Sequence, residues 1–183
     1  MQGLLAAGTA LGPLSPLSPW FGLDAEAQEI PHLLKDPQAD FFVGRIYYRG
    51  GDYNADMLTE GLKGGSEINL MKRLALYTSI QTEPRETVVR LVDPVMFTVP
   101  FFYMTGHGIM IYSREEIDNL RKALTAGAFL LGDACNGKGH GFDRSFRELI
   151  RRLFPEKSLQ PLSMKHPVFN SFFQINKVLG GDK

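Results

Sequence analysis

Four short runs rich in β-branched, aromatic or aliphatic residues, each stopped by glycine or aspartate, alternate along this chain with segments of helical periodicity. No other feature limits its fold as strongly. Phe41-Phe42-Val43-Gly44-Arg45-Ile46-Tyr47-Tyr48 stops at Gly50-Gly51-Asp52, and Thr87-Val88-Val89-Arg90-Leu91-Val92 stops at Asp93-Pro94. Phe101-Phe102-Tyr103-Met104 stops at Thr105-Gly106-His107-Gly108, and Ala128-Phe129-Leu130-Leu131-Gly132 stops at Asp133-Ala134-Cys135-Asn136-Gly137. Strands that alternate with helices predict an α/β fold with three layers and a doubly wound, mostly parallel sheet, flavodoxin-like in outline. The near-continuous apolarity of the fourth run predicts a strand covered on both faces.

The intervening segments carry helix signals of unequal strength. Ser66 is placed to cap a helix from Glu67 to about Ser79, with Ile68, Met71, Leu74, Ala75 and Thr78 along one face. Ser113-Arg114-Glu115-Glu116 is a capping box, followed by a stripe of Ile117, Leu120, Ala123 and Leu124 and a stop at Gly127. Asp143 or Ser145 is expected to cap a last helix that turns Phe146, Leu149, Ile150 and Leu153 inward and Arg144, Arg147, Arg151 and Arg152 outward, with Pro155 ending it. The link between residues 92 and 101 is short for a parallel crossover. Either it is one tight helical turn or the strands it joins are not neighbours.

A chain of 183 residues, 44% of them hydrophobic, has room for one domain with its own core, and residues 40–183 are assigned to it. Lys+Arg and Asp+Glu are 20 each, so the basic surplus that nucleic-acid backbones require is missing. A single cysteine excludes an intrachain disulfide. Residues 1–30 read differently: an apolar run from Gly3 to Leu14, a Pro/Ser stretch, and Ala25-Glu26-Ala27, the outline of an export signal with cleavage before Gln28. Only Met1 and Gln2 stand where a basic head is expected, so the segment is either a shortened signal peptide, of twin-arginine or similar type, or a disordered lead-in. At about a dozen residues the run is too short for a bilayer, which takes about 20. At the other end, Ile175-Asn176-Lys177-Val178-Leu179 starts like a strand and runs into Gly180-Gly181, as in a C-terminally truncated sheet.

Ligands of open α/β sheets bind beyond the carboxyl ends of the strands, where glycines let backbone approach closely. That places the expected ligand site at Gly51, Asp52, Thr105, Gly106, His107, Gly108 and Asp133, with Asp143 and Arg144 from the start of the last helix. His107, Asp133, Cys135 and His140 carry metal-ligand atoms, but their spacing matches no metal pattern. Neither metal nor cofactor is expected.

Several of these stretches carry a family resemblance. Gly50-Gly51-Asp52, Asp93-Pro94, the run from Pro100 to Gly108, Phe142-Asp143-Arg144-Ser145-Phe146-Arg147 and His166-Pro167-Val168-Phe169 resemble the bacterial DUF4159 family, over roughly residues 40–173. The resemblance implies a fold similar to class I glutamine amidotransferases, often behind an export signal and often encoded near cell-envelope ATPase systems, with no established activity. It also implies that Cys135 occupies a strand-to-helix elbow, with His166 as the matching base. Two departures count against catalysis: Ala134 stands where the family tends to have a second acid, which removes a carboxylate pair, and Val168 stands where the amidotransferase pattern has glutamate, which leaves the Cys135–His166 triad incomplete. The expected function is an exported, periplasmic ligand-binding or envelope-assembly module with cell-envelope protein partners and no catalysis. The alternatives are a hydrolase or amidotransferase-like enzyme using Cys135 or a metal with His107 and Asp133, and a cytoplasmic location.

Overall fold

The computed structural model describes residues 39–54, 65–135 and 137–177. The lead-in to residue 30, Asn136 and the run from Val178 to Lys183 lie outside them. Four strands, β1 (Val43–Ile46), β2 (Val88–Val89), β3 (Phe101–Gly106) and β4 (Phe129–Ala134), form one sheet in the order β2-β1-β3-β4, every pair parallel. Helices α1 (Ser66–Tyr77), α2 (Arg114–Thr125) and α3 (Gly141–Leu153) alternate with them. This is the α/β parallel-sheet class that the alternation predicts. Among the described residues no helix is long and apolar enough to cross a membrane.

The short link before β3 has a simple explanation. β2 and β3 pair with opposite edges of β1, so the link has one strand to cross, about 10 Å laterally. The 3-10 turn Pro94–Thr98 is enough, and it buries Met96 on the way. Side chains alternate across the sheet. Arg45, on β1, faces α1 through Glu67, whereas Gly132, on β4, faces Phe146 of α3 so closely that a Cβ there would lie 2.5 Å from the ring. Between sheet, α2 and α3 lie the fully buried Ile46, Phe102, Met104, Leu120, Phe142 and Leu153. Each such side chain contributes about 1.5–3 kcal/mol by leaving water.

Several boundaries differ from the sequence expectations. β1 and β2 are shorter than the runs that mark them, because β2 turns at once, Asp93 N donating to Arg90 O at 3.2 Å, and leaves β1 little to pair with. β3 and β4 are longer, since their ladder runs from Phe101↔Phe129 to Gly106↔Ala134. Among the described residues β4 is an edge strand and is not covered on both faces, with Phe129 55% and Leu131 42% exposed.

α2 begins as its capping box requires, Ser113 Oγ accepting from Glu116 N at 3.1 Å and Glu116 Oε2 from Ser113 N at 2.6 Å. α1 starts at Ser66 with Gly65 as its cap and no side-chain cap bond. An ion pair anchors it instead. Arg45 Nε and Nη2 donate to the two oxygens of Glu67, both at 2.5 Å, while Nη1 donates to Tyr53 O at 2.9 Å and the guanidinium lies over the Tyr103 ring. Both side chains are 0% exposed. Glu67 therefore shares the inward face of α1 with Ile68, Met71, Leu74 and Thr78, and Ala75 is exposed. α3 starts at Gly141, ahead of either expected cap, because Phe142 is drawn into the core beside Tyr48, ring centroids 6.3 Å apart. At its other end Arg121 of α2 donates to Leu153 O at 2.7 Å and Arg152 O at 2.6 Å, satisfying carbonyls that a helix end leaves open.

Candidate functional site

From β1 the chain departs toward β2 on one side, while β3 lies on the other, so the crevice beyond β1 and β3 is where strand order reverses. Glycine brings the two loops there into contact. A Cβ on Gly108 would lie 3.0 Å from Gly51 Cα, and one on Gly51 would lie 2.9 Å from the Tyr48 ring. Gly106 is held tightest, with φ +151° and only 2.1 Å between an added Cβ and Tyr48 Oη. That hydroxyl donates to Thr105 O at 2.7 Å inside the core. Burial, and then the charge of Asp52, push the Tyr48 phenol well above its ordinary pKa, so it stays a donor. α3 closes the third side: Phe142 N donates to His107 O at 3.2 Å, and a Cβ on Gly141 would sit 2.8 Å from the same oxygen.

Asp52 locks the loops together. Its Oδ1 accepts from the backbone N–H of His107 at 2.8 Å and of Gly108 at 3.2 Å, and its Oδ2 meets His107 Nδ1. Partial burial pushes the carboxyl up, but these hydrogen bonds outweigh it together and hold its pKa below the usual range. An ionised Asp52 fixes the proton of His107 on Nδ1. The other ring nitrogen, Nε2, has no partner among the described residues, and the imidazole is 47% exposed. The result is an oriented histidine presenting one nitrogen to solvent above backbone that carries no bulky side chain.

Gly51, Asp52, Thr105, Gly106, His107 and Gly108 thus come together. Asp133 neighbours them through its pairing with Thr105, yet its carboxylate opens elsewhere, onto a cleft of about 210 Å³ between α1 and β3/β4, with Tyr103 Oη at 3.5 Å. Asp143 is not the helix N-cap: it sits in the first turn, accepts from Gly139 N at 2.8 Å and binds Arg147 Nε at 3.0 Å. Arg147 and Gly139 hold its pKa below the usual range. Arg144 points to solvent along α3.

Cys135 is exposed, and its hydrogen-bond partner is Thr105 Oγ1 at 2.9 Å. His166 lies in the exposed C-terminal segment, its Nδ1 accepting from Val168 N at 3.3 Å, and the structure records no bond from either histidine or carboxylate to the thiol among the described residues. Nor do three His, Cys, Asp or Glu side chains gather as a metal cage among those residues, and His140 serves as backbone N-cap of α3. Sequence reasoning passed over Tyr48 and the Arg45–Glu67 pair. One signal was available: Arg45 is a charge in the middle of an apolar strand run, and a charge buried there needs a buried partner.

The model of a domain of unknown function, DUF4159, matches residues 43–181, about three quarters of the chain. The chain belongs to the DUF4159 family. Within that DUF4159 match lie the glycine-held loops, the Asp52–His107 pair and the start of α3. Among curated proteins, none matches the sequence.

Proposed function

We propose that this DUF4159 chain is a ligand-binding module whose polar centre is His107, oriented by Asp52, at the crevice beyond β1 and β3. The observation that carries the reading is the pairing of a fixed, solvent-facing imidazole with two loops that only glycine can bring so close. A stability-only arrangement has no need to hold the ring open to solvent, since the carboxylate already receives two backbone N–H groups. In its neutral form the ring offers an Nε2 lone pair, which suits a ligand with a hydroxyl or amine donor. The apolar run and Ala25-Glu26-Ala27 support a place outside the cytoplasm with envelope proteins as partners. A likeness to the amidotransferase fold belongs to the same proposal.

An Asp-oriented histidine is also the positioning half of acid–base apparatus, which favours His107 over Cys135 as the centre of an enzymatic reading. Histidine-selective NMR tests the binding reading. Small polyols and amino alcohols should shift the His107 Nε2 resonance in wild type and leave the spectrum of His107→Ala unchanged, and a wild-type spectrum indifferent to every probe counts against it.

A further inference from the structure

A groove of about 530 Å³ runs along the solvent side of α3, between the helix and the chain that follows it. One wall carries Arg144, Arg147 and Arg151, and the opposite segment adds Pro155, Lys157 and Leu159, with Ile150 between. At intervals of three and four residues the arginines share one helix face, spanning about 10 Å of its axis. Glu148 is the one acid among the described lining residues. It bonds Arg151, and Asp143 bonds Arg147 at 3.0 Å, but the exposed Arg144 side chain has no partner among the described residues. A cationic excess is thus gathered here in a chain whose charges balance. Arg144 also stands in the first turn of α3, where the helix dipole disfavours a cation and both together favour an anion.

We propose that this groove binds an acidic segment of a partner protein in extended form, with carboxylates alternating with apolar side chains. An extended strand sets alternate side chains about 7 Å apart on one side, a spacing that suits guanidinium forks along the α3 wall, and it turns the intervening side chains to the other wall. There Pro155 and Leu159 offer apolar surface. Nucleic acid fits less well, because Glu148 opposes a continuous row of phosphates and no aromatic side chain is among the described lining residues to serve as a stacking platform. This proposal does not depend on His107.

The test is fluorescence anisotropy of a short fluorescein-labelled peptide of alternating glutamate and leucine, titrated with the full chain. Saturable binding that weakens with salt is expected, with Arg144→Glu weakening it by about tenfold and Arg144→Lys retaining most of it. Arg144 is exposed, so circular dichroism of both variants should match wild type. The proposal is overturned if wild type shows no saturable binding, if the matching glutamine–leucine peptide binds equally well, or if an oligothymidylate binds more tightly.

Discussion

Replacing Gly106 by alanine tests the joint between the two loops. At φ +151° an L-residue is strained by about 1–3 kcal/mol, whatever space it finds. It finds none: the new Cβ falls 2.1 Å from Tyr48 Oη and 3.0 Å from Asp52 Oδ1. The tyrosine must give way and abandon Thr105 O, and a buried carbonyl left without its donor costs about 1–3 kcal/mol more. Gly106→Ala should therefore lose about 2–6 kcal/mol in urea unfolding followed by circular dichroism. Tyr48→Phe removes the clashing hydroxyl and its hydrogen bond in advance, so in that background the same substitution should cost about 1–3 kcal/mol less. Equal penalties in the two backgrounds, or a Gly106→Ala protein as stable as wild type, would refute the close packing of Gly106 on Tyr48.

Two further predictions concern charge. Arg45→Met strands a buried carboxylate and should cost about 3–5 kcal/mol, whereas Arg45→Met with Glu67→Leu should recover most of the loss. Chemical denaturation of both variants gives the comparison, and a double variant no better than the single would contradict the role of the pair. For Asp52 the folded pKa is depressed, so its contribution is complete above the unfolded value of about 3.9 and is lost as pH falls through the folded value. The difference in urea midpoint between wild type and Asp52→Asn should be smaller below about pH 4 than at about pH 5, because the carboxylate is lost in acid. A difference unchanged into strong acid would deny Asp52 its hydrogen-bonded carboxylate.

How much of this was legible in the sequence depended on whether local chemistry or tertiary contact decided each element. The capping box of α2 was readable because both of its hydrogen bonds lie within four residues. The strand ends were readable as turns, and their glycines as close approaches, but the identity of the approaching group was not: Tyr48 reaches Thr105 across 57 positions. α1 misled because its inward face includes a carboxylate, Glu67, which periodicity alone assigns to solvent until Arg45 is recognised as its partner. α3 misled for a related reason, since burial of Phe142 outweighs the local preference of Asp143 for a cap. In β4 apolar composition was read as two covered faces, yet Phe129 and Leu131 are exposed.

The central claim is that the loops after β1 and β3 form one binding site around His107. Its most direct measurement is a two-dimensional amide and histidine-ring NMR titration with a panel of small polyols and amino alcohols. At least one compound should shift Gly51, Gly106, Gly108 and the His107 ring together with a single saturation curve, and His107→Ala should abolish the three glycine responses. Shifts confined to α3 or the open face of β4, with the His107 ring unmoved throughout, would contradict it.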